Sequence, residues 1–350
     1  MNGKAGNEEP GTSSALNGGE GSFLPVESSI LSTGALGEQV GRRYGLPRPD
    51  CCELVASGEN DMYRLHSGVR NLYLRVYRHG TPEAFVREEL LVLAHLAREG
   101  LRVPLPLTAR TGEPLLYLAA PEGSRIAVLY RTLKDGRLDL SDSRQVSSYG
   151  RAVGALHDAL DRLPLQVKRL QLDGEFLVAR PMMRIRPYLP PWPDENRFIE
   201  SLATSVLSGL RLAGRERPSS GLCHGDLNLS NVLWDGRSIG FLDFELCGHG
   251  WRAYDLAVFL WNLCDGQPDP VNRTETWETY LSGYRESRGN LADADCRLLP
   301  LLVIARHFET MGYHALCARK FGSSYLDENY FKTHLAYLHN WQQEYGIAIE

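Results

Sequence analysis

The 350-residue chain has no continuous apolar stretch of the roughly 18–20 residues that a membrane-spanning helix requires. Residues 1–22 also have no apolar centre of the kind found in a signal peptide, and are rich in Gly, Asn, Ser and Glu. Such a segment buries too little surface to offset the entropy lost on ordering, so we expect a disordered tail over residues 1–30. We therefore expect a cytoplasmic protein with no membrane partner.

The cysteines are not patterned for pairing, since there are seven of them, an odd number, and no CxxC motif. This usage is typical of a reducing compartment and not of a disulfide framework. We expect the adjacent Cys51 and Cys52 to be small strand residues and not a redox pair. The net charge of −5 argues against a broadly basic surface, so no nucleic-acid partner is expected. The length suits one two-lobed enzyme or two small domains, and the oligomeric state stays open.

The segment from His224 to Glu245 carries the clearest chemical pattern. Asp226 and Asn231 are five residues apart, and Asp243 follows after a further twelve, at the end of a short apolar run. This spacing is typical of a kinase-type phosphoryl-transfer site, where an Asp orients and deprotonates the acceptor hydroxyl while an Asn and a second Asp hold Mg²⁺. The residue types fit because Mg²⁺ takes hard oxygen ligands. The alternative is an ordinary loop rich in Asp and Asn.

Three segments, residues 223–231, 241–245 and 254–257, resemble the aminoglycoside phosphotransferase family, which also includes choline kinase-like and type II homoserine kinase-like enzymes. The resemblance extends over roughly residues 34–345. It implies an α+β, protein-kinase-like fold of two lobes, with a small antiparallel-sheet N-lobe and a larger, mainly helical C-lobe. It also implies an enzyme that uses ATP and Mg²⁺ to phosphorylate a hydroxyl of a small molecule.

The resemblance gives roles to residues of the motif. Asp226 would be the catalytic base, and Asn231 and Asp243 would be the metal ligands. His224 is expected to hold the loop by packing and hydrogen bonding, without reacting. Asp255 is expected to cap or brace the catalytic loop.

Arg75 stands in the third predicted strand, where the family carries a lysine that contacts the α- and β-phosphates. Arginine keeps the charge and offers a fork suited to phosphate, but it is longer and planar. The matching helix carboxylate is expected to be Glu89, with Glu88 as the second candidate. The alternatives are a surface role for Arg75 and a phosphate role for Arg78.

Two further segments are assigned to the nucleotide. The turn over residues 57–60 would lie over it, and backbone N–H groups at Gly58 and Asn60 would bind phosphate. The alternative is that this segment is an ordinary hairpin turn with no role in nucleotide binding. Backbone groups from Arg131 to Leu133 are expected to pair with adenine at a hinge between the lobes.

Periodicity and turn signals predict the remaining elements. Strands are expected over 52–55, 62–65, 72–77, 115–118, 126–131, 232–234 and 239–242. Helices are expected over 32–44, 83–98, 142–160, 198–212 and 251–260, and in the rest of the chain to 345. The basic, proline-rich connection over 180–193 is expected to be a loop that lines the acceptor pocket or is solvated. The N-lobe would then span residues 31–134, and the catalytic, substrate-binding C-lobe residues 135–350.

The net charge of the C-terminal part indicates which kind of acceptor molecule the pocket would favour. Residues 243–330 contain 13 Asp and Glu against 8 Lys and Arg. Acidic side chains in the pocket would favour an amine-bearing acceptor such as an amino alcohol or an aminoglycoside. The candidates are Asp265, Asp293, Asp295, Asp327 and Glu328. A solvated acidic surface is the alternative, and so is a homoserine-type amino acid whose carboxylate binds Arg184 or Arg186.

Two rival functions remain at this point. A protein kinase is disfavoured because the chain has no G-x-G-x-x-G loop and no Ala-Pro-Glu after Asp243. A catalytically inactive nucleotide-binding module is supported by Arg75 alone. Glu245 stands where protein kinases have glycine, and it is expected to reach the metal shell or the acceptor.

Overall fold

The computed structural model describes residues 24–47, 51–68, 70–133, 136–164, 166–266 and 270–349. Of the tail expected over residues 1–30, residues 1–23 lie outside the described ranges. Ser29 contacts the N-lobe, because its carbonyl accepts a hydrogen bond from Arg125 and its hydroxyl donates one to Glu122. Within these ranges no helix has both the length and the apolar character needed to cross a membrane.

The N-lobe is built on a five-stranded antiparallel sheet with strand order β1-β2-β3-β5-β4. Its elements are α1 (Thr33–Tyr44), β1 (Cys51–Ser57), β2 (Asp61–Ser67), β3 (Arg70–Val76), α2 (Glu83–Arg98), β4 (Leu115–Ala120) and β5 (Gly123–Arg131). Side chains alternate across the sheet, so on β3 Leu74 faces the core shared with α1, and Arg75 faces α2. This alternation brings Arg75 into the cleft.

The C-lobe is mainly helical. Its elements are β6 (Gly136–Arg137), α3 (Ser143–Asp161), β7 (Leu170–Leu172), α4 (Arg180–Ile185), α5 (Pro193–Gly214), β8 (Ser220–Cys223), β9 (Val232–Trp234), β10 (Ile239–Phe241), β11 (Gly248–Trp251), α6 (Ala253–Gly266), α7 (Pro270–Arg288), α8 (Asp293–Phe321) and α9 (Glu328–Glu344). The predicted strands over 232–234 and 239–242 are confirmed as the antiparallel pair β9 and β10. A small antiparallel-sheet N-lobe and a mainly helical C-lobe are therefore present as predicted.

The expectation of an irregular connection over residues 180–193 is wrong for most of its length. A π-helical turn (Glu175–Ala179) runs into α4, and a 3₁₀ turn (Arg186–Tyr188) follows. Pro181 is the second residue of α4 and Pro187 is the second residue of the 3₁₀ turn, and each segment continues directly from the helical turn before it. Proline content therefore did not predict a loop here.

Helices α3 and α7 cross at two glycines. A Cβ on Gly150 would lie 1.9 Å from the carbonyl oxygen of Tyr280, and one on Gly283 would lie 2.0 Å from that of Ser147. Only glycine permits this approach of the two backbones. The crossing fixes α3, which carries a histidine used at the site.

Candidate functional site

One buried carboxylate supports the loop that follows β8. The two oxygens of Asp255 accept 2.8 Å hydrogen bonds from the backbone N–H groups of His224 and Gly225. Nε2 of His157, on α3, lies 2.9 Å from Asp255 Oδ2. Burial alone would raise the pKa of Asp255, but these donors outweigh it and lower the pKa. Asp255 braces the catalytic loop, as the sequence predicted.

His224 and Gly225 set the path of this loop. At Gly225 the backbone φ is +85°, and a Cβ there would lie 2.3 Å from the carbonyl oxygen of Leu246, so only glycine fits. Nε2 of His224 lies 2.9 Å from the carbonyl oxygen of Leu242, and Nδ1 accepts the N–H of Asp226 at 3.3 Å. His224 therefore holds the loop against the segment after β10, which matches its expected role.

Asp226 is held by three side-chain donors. Oδ2 accepts a 2.8 Å hydrogen bond from Asn231 Nδ2, and Oδ1 accepts one of 2.9 Å from Asn228. Arg306, on α8, places Nη2 2.8 Å from Oδ1. The structure thus brings Asp226 and Asn231 into direct contact, and the amide nitrogen of Asn231 is occupied. Its carbonyl oxygen is left as the possible metal ligand.

Arg75 lies between two carboxylates. Its Nη1 is 3.2 Å from Glu89 Oε1, and its Nη2 is 2.7 Å from Asp243 Oδ1. Glu89 also accepts a 3.1 Å hydrogen bond from the hydroxyl of Tyr77. Arg78, the other candidate, is exposed and pairs with Glu59. The structure therefore places Arg75, with Glu89 as its partner, beside the predicted metal ligand.

Burial and charge act in opposite directions in this cluster. Burial alone would raise the pKa of Asp243, but the charge and hydrogen bond of Arg75 outweigh it and hold the pKa below its usual range. Burial raises the pKa of Glu89, against the opposing charge of Arg75. Asp243 is therefore ionised, as a metal ligand must be.

Glu245 follows Asp243 by two residues and has a different protonation behaviour. Burial raises its pKa to about 7; Arg75 opposes this shift, and the carboxylate of Asp243 adds to it. The backbone at Asp243 has φ +60°, in the left-handed region that non-glycine residues rarely adopt. Such strain commonly marks functional positions.

Arg169 holds the segment after Asp243, and sequence reasoning did not find it. Its guanidinium donates to the carbonyl oxygens of Phe244, Glu245 and Cys247 at 2.6–2.9 Å. It also lies over the ring of Phe85, with Cζ 4.0 Å from the centroid. Arg169 comes from an irregular stretch before β7, where no periodic pattern could single it out.

The β1–β2 turn uses several of its polar groups internally. The N–H of Gly58 donates to the carbonyl oxygen of Asn60 at 3.0 Å, and Asn60 Oδ1 accepts the N–H of Arg78 at 2.9 Å. Nδ2 of Asn60 is buried and has no hydrogen-bond partner among the described residues. That amide group is a free donor at this turn.

The predicted hinge lies at the end of β5. Arg131 is the last residue of the strand, and its N–H donates to the carbonyl oxygen of Leu105 at 3.2 Å. Leu133 is half-buried beyond it. Residues 134 and 135, at the predicted lobe boundary, lie outside the described ranges.

A second charged pair, also missed from the sequence, lies beside Asp226. Arg306, which binds Asp226, also binds Glu309 one helical turn further along α8, with Arg306 Nη1 2.8 Å from Glu309 Oε2. Burial raises the pKa of Glu309, Arg306 opposes the shift, and the charge of Asp226 adds to it. The available signal was a lone arginine within the apolar run of residues 298–308 in α8. Charged residues are rarely buried unless paired.

Three of the five acidic acceptor candidates make other contacts. Asp295 accepts the N–H of Ser219, Asp327 caps α9, and Glu328 pairs with Lys332. Asp293 is exposed in the first turn of α8, and the side chain of Asp265 lies outside the described residues. No contact in the described structure joins these residues to Asp226, whereas Glu309 lies near it. Of the two arginine anchors, Arg186 pairs with Glu200 and Arg184 is exposed.

Comparison with known sequences gives one family and several relatives. The profile of the phosphotransferase enzyme family (APH) matches residues 51–289. An uncharacterised protein of Deinococcus radiodurans is 37% identical over 326 residues, covering 92% of this chain and 94% of that protein. A homoserine kinase of Rhizobium johnstonii is 29% identical over 253 residues, covering 71% of this chain and 74% of that enzyme.

Solved structures share the fold. The microcompartment-associated aminopropanol kinase gives a TM-score of 0.65 at 21% identity, covering 90% of this chain and 99% of that one. Amicoumacin kinase in complex with AMP-PNP and Ca²⁺ gives a TM-score of 0.66 at 19% identity, covering 89% and 92%. The two-lobed architecture is thus that of a protein-kinase-like fold.

Proposed function

Because the chain belongs to the APH phosphotransferase enzyme family and is a small-molecule kinase, we propose that it transfers the γ-phosphoryl group of ATP to a hydroxyl, with Asp226 as the base. The observation that carries this proposal is the convergence of Asp226 and Asn231 with Asp243 and the buried Arg75–Glu89 pair. These residues supply a base, oxygen ligands and a cation in one cleft. We also propose a cytoplasmic location, on the reducing-type cysteine usage.

In the proposed step the acceptor oxygen bonds to the γ-phosphorus, the bond from that phosphorus to the bridging oxygen of ADP breaks, and the acceptor proton passes to Asp226. Asp226 Oδ1 accepts from both Arg306 and Asn228. Oδ2 accepts from Asn231 alone among the described side chains, so it keeps a lone-pair site for the hydroxyl. The three donors fix the carboxylate before the acceptor binds, which favours reactive geometry.

The oxygens present suit Mg²⁺. The carbonyl oxygen of Asn231 and the second carboxylate oxygen of Asp243 are hard ligands, and in the described structure no trio of His, Cys, Asp or Glu side chains could hold a metal. Two protein ligands are typical of a Mg²⁺ site, because Mg²⁺ usually binds one or two protein oxygens together with phosphates and water. When bound, the ion supplies positive charge against the transferred group.

Arg75, Asn60 and the segment from Arg131 to Leu133 are proposed to bind the nucleotide, and Gly58 is proposed to form the turn that lies over it. Arg75 is already oriented by Glu89, so it can hold phosphate with little loss of side-chain freedom. Asn60 shapes the turn, because its Oδ1 accepts the N–H of Arg78. The related fold of amicoumacin kinase, solved with AMP-PNP, supports a nucleotide in this cleft.

For the acceptor we propose an amine-bearing hydroxyl compound, an amino alcohol or an aminoglycoside-like molecule. Glu309 supports this choice, because it shares the single cation Arg306 with Asp226, so two carboxylates face one positive charge and the excess would attract an ammonium group. The aminopropanol kinase fold is consistent with it. The competing candidate is a homoserine-type amino acid. The charge of Arg184 acts on Glu309, so this arginine could bind the acceptor's carboxylate. The similarity to a homoserine kinase also favours this candidate.

The test is ATP consumption with a panel of hydroxylated amines, amino acids and antibiotics, with and without Mg²⁺. Asp226→Asn should abolish transfer while nucleotide binding stays nearly intact, because the base is lost and the metal ligands remain. Asp243→Ala should weaken Mg²⁺-dependent nucleotide binding as well. Substantial turnover by Asp226→Asn would contradict the base assignment, and unchanged Mg·ATP affinity in Asp243→Ala would contradict the metal assignment. A wild-type protein that binds nucleotide but turns over no acceptor would support the inactive module.

A further inference from the structure

One face of α8 spans the cleft between the lobes. Arg306, Glu309, Tyr313 and Lys320 are spaced by three, four and seven residues, which places them along the same side of a helix. Arg306 contacts the catalytic loop at Asp226. Fourteen residues on, roughly 21 Å along the axis, Lys320 reaches the N-lobe.

Lys320 makes the ionic part of this contact. Its Nζ lies 2.5 Å from Asp61 Oδ1 and donates to the carbonyl oxygen of Gly58 at 3.3 Å. Asp61 is fully buried at the start of β2, where Arg125 and Ser57 also bind it. A buried carboxylate is stable only when cations and hydrogen-bond donors surround it. Lys320 is the C-lobe member of that set.

Tyr313 makes the second part of the contact. Its hydroxyl lies against the backbone of the turn at Gly58. A Cβ on Gly58 would lie 2.3 Å from this hydroxyl oxygen and 3.5 Å from the ring carbon that bears it. The turn therefore approaches α8 as closely as a glycine allows. We call this set the interlobe contact: Tyr313 and Lys320 of α8 with Gly58, Glu59 and Asp61 of the N-lobe.

The turn held in this way lies at the end of the sheet that carries Arg75. Asp61, which follows the turn, pairs with Val76, the residue after Arg75 on β3, and Asn60 Oδ1 accepts the N–H of Arg78. The turn is therefore next to the cation that we propose for the phosphates. Unless the turn is fixed, its polar groups would have to be ordered when nucleotide binds, at a cost in affinity.

We propose that Tyr313 and Lys320 are positioning residues that fix the β1–β2 turn over the bound nucleotide. The proposal rests on the function proposed above. Because the same helix binds Asp226 through Arg306, α8 links the position of the nucleotide turn to that of the catalytic carboxylate. Neither side chain takes part in the phosphoryl transfer itself.

The experiment measures the Kd of Mg·AMP-PNP by calorimetry and the KM for ATP in steady state. Lys320→Met should raise both constants by about tenfold, the usual effect of losing one such hydrogen bond. Tyr313→Phe should raise both constants as well, and in both variants kcat should stay within about twofold. Lys320→Arg should restore most of the affinity. Lys332→Met and Tyr117→Phe are the matched controls, since they remove a charge and a hydroxyl whose partners, Glu328 and Glu83, are not part of the interlobe contact.

A double-mutant cycle tests the contact itself. Gly58→Ala displaces the hydroxyl of Tyr313, so it should weaken nucleotide binding about as much as Tyr313→Phe does. The double variant should be no worse than either single one, because both changes disturb the same close contact between Tyr313 and the turn. Additive losses would overturn the inference.

The outcomes separate the two proposals. If the wild-type protein fails to bind Mg·AMP-PNP, the proposed function is wrong. If it binds but Lys320→Met and Tyr313→Phe bind equally well or more tightly, only the positioning role is wrong. Thermal unfolding of each variant shows whether it is folded, and Tyr313→Phe removes a single oxygen, so it is expected to fold.

Discussion

Arg306 Nη2 and Asp226 Oδ1 lie 2.8 Å apart, which joins the long helix α8 to the proposed catalytic base. The guanidinium also binds Glu309 and lies over the ring of Trp261, with Cζ 5.3 Å from the centroid. Arg306 is nearly fully buried, so it cannot leave Asp226 for solvent without loss of these contacts. The orientation of the base is therefore set by a residue about 80 positions away in sequence.

Replacing Arg306 should affect both rate and stability. Arg306→Met leaves Glu309 buried without its cation and removes one donor from Asp226, so we expect kcat to fall at least about tenfold and stability to fall by about 3–5 kcal/mol. Arg306→Lys should retain more activity. Steady-state kinetics and urea unfolding measure the two effects, with Arg297→Met, an exposed residue of the same helix, as the control. Wild-type kcat in a folded Arg306→Met protein would contradict this role.

Arg75 should be needed for turnover. Arg75→Ala removes the cation between Glu89 and Asp243, so we expect a fall in turnover of at least about tenfold, or ~1.4 kcal/mol of transition-state stabilisation. Arg75→Lys should keep more activity than the alanine variant, because a cation remains. Arg78→Ala is the control, since its side chain is exposed and pairs with Glu59. Near-normal rates in both Arg75 variants would show that another residue binds the phosphates.

Glu245 should make stability depend on pH near neutrality. Its pKa is about 7 in the folded protein and lies near the ordinary value of 4.5 when unfolded. Between these values the folded state binds more protons than the unfolded state, so this contribution is present at low pH and is lost as pH rises through 7. The free energy of unfolding of the wild type should fall relative to Glu245→Gln between about pH 5 and about pH 8. Urea unfolding across this range measures it, and parallel curves would refute the assignment.

The acceptor preference should depend on salt. If Glu309 attracts an ammonium group, turnover of an amino alcohol or aminoglycoside at low concentration should fall as ionic strength rises, because charge attraction is screened. Glu309→Gln should raise KM for that acceptor more than it lowers kcat. A neutral hydroxyl analogue, turned over by the same protein, is the control. Phosphorylation of neutral or anionic acceptors alone would contradict the amine preference and leave the kinase assignment standing.

The sequence predicted most of what depends on local pattern. The helix expected over 83–98 is confirmed as α2, and periodicity with the family motif was enough to pair Arg75 with Glu89. The loop over 180–193 was mispredicted because proline was taken as a break, although it stands at helix starts. Arg306, Lys320 and Arg169 were missed because their partners lie tens to hundreds of residues away. Such pairings follow from tertiary packing, and no short window of sequence contains them.

The support beneath the catalytic loop also bears on how the protein folds. Asp255 is 98 residues from His157 and about 30 from the loop N–H groups that it binds. By contrast, β1, β2 and β3 pair with their neighbours in sequence. Contacts between distant residues form late, because a long chain segment must close first. During refolding, far-UV circular dichroism should therefore recover before phosphotransferase activity, with a lag that reflects the docking of α3 and α6.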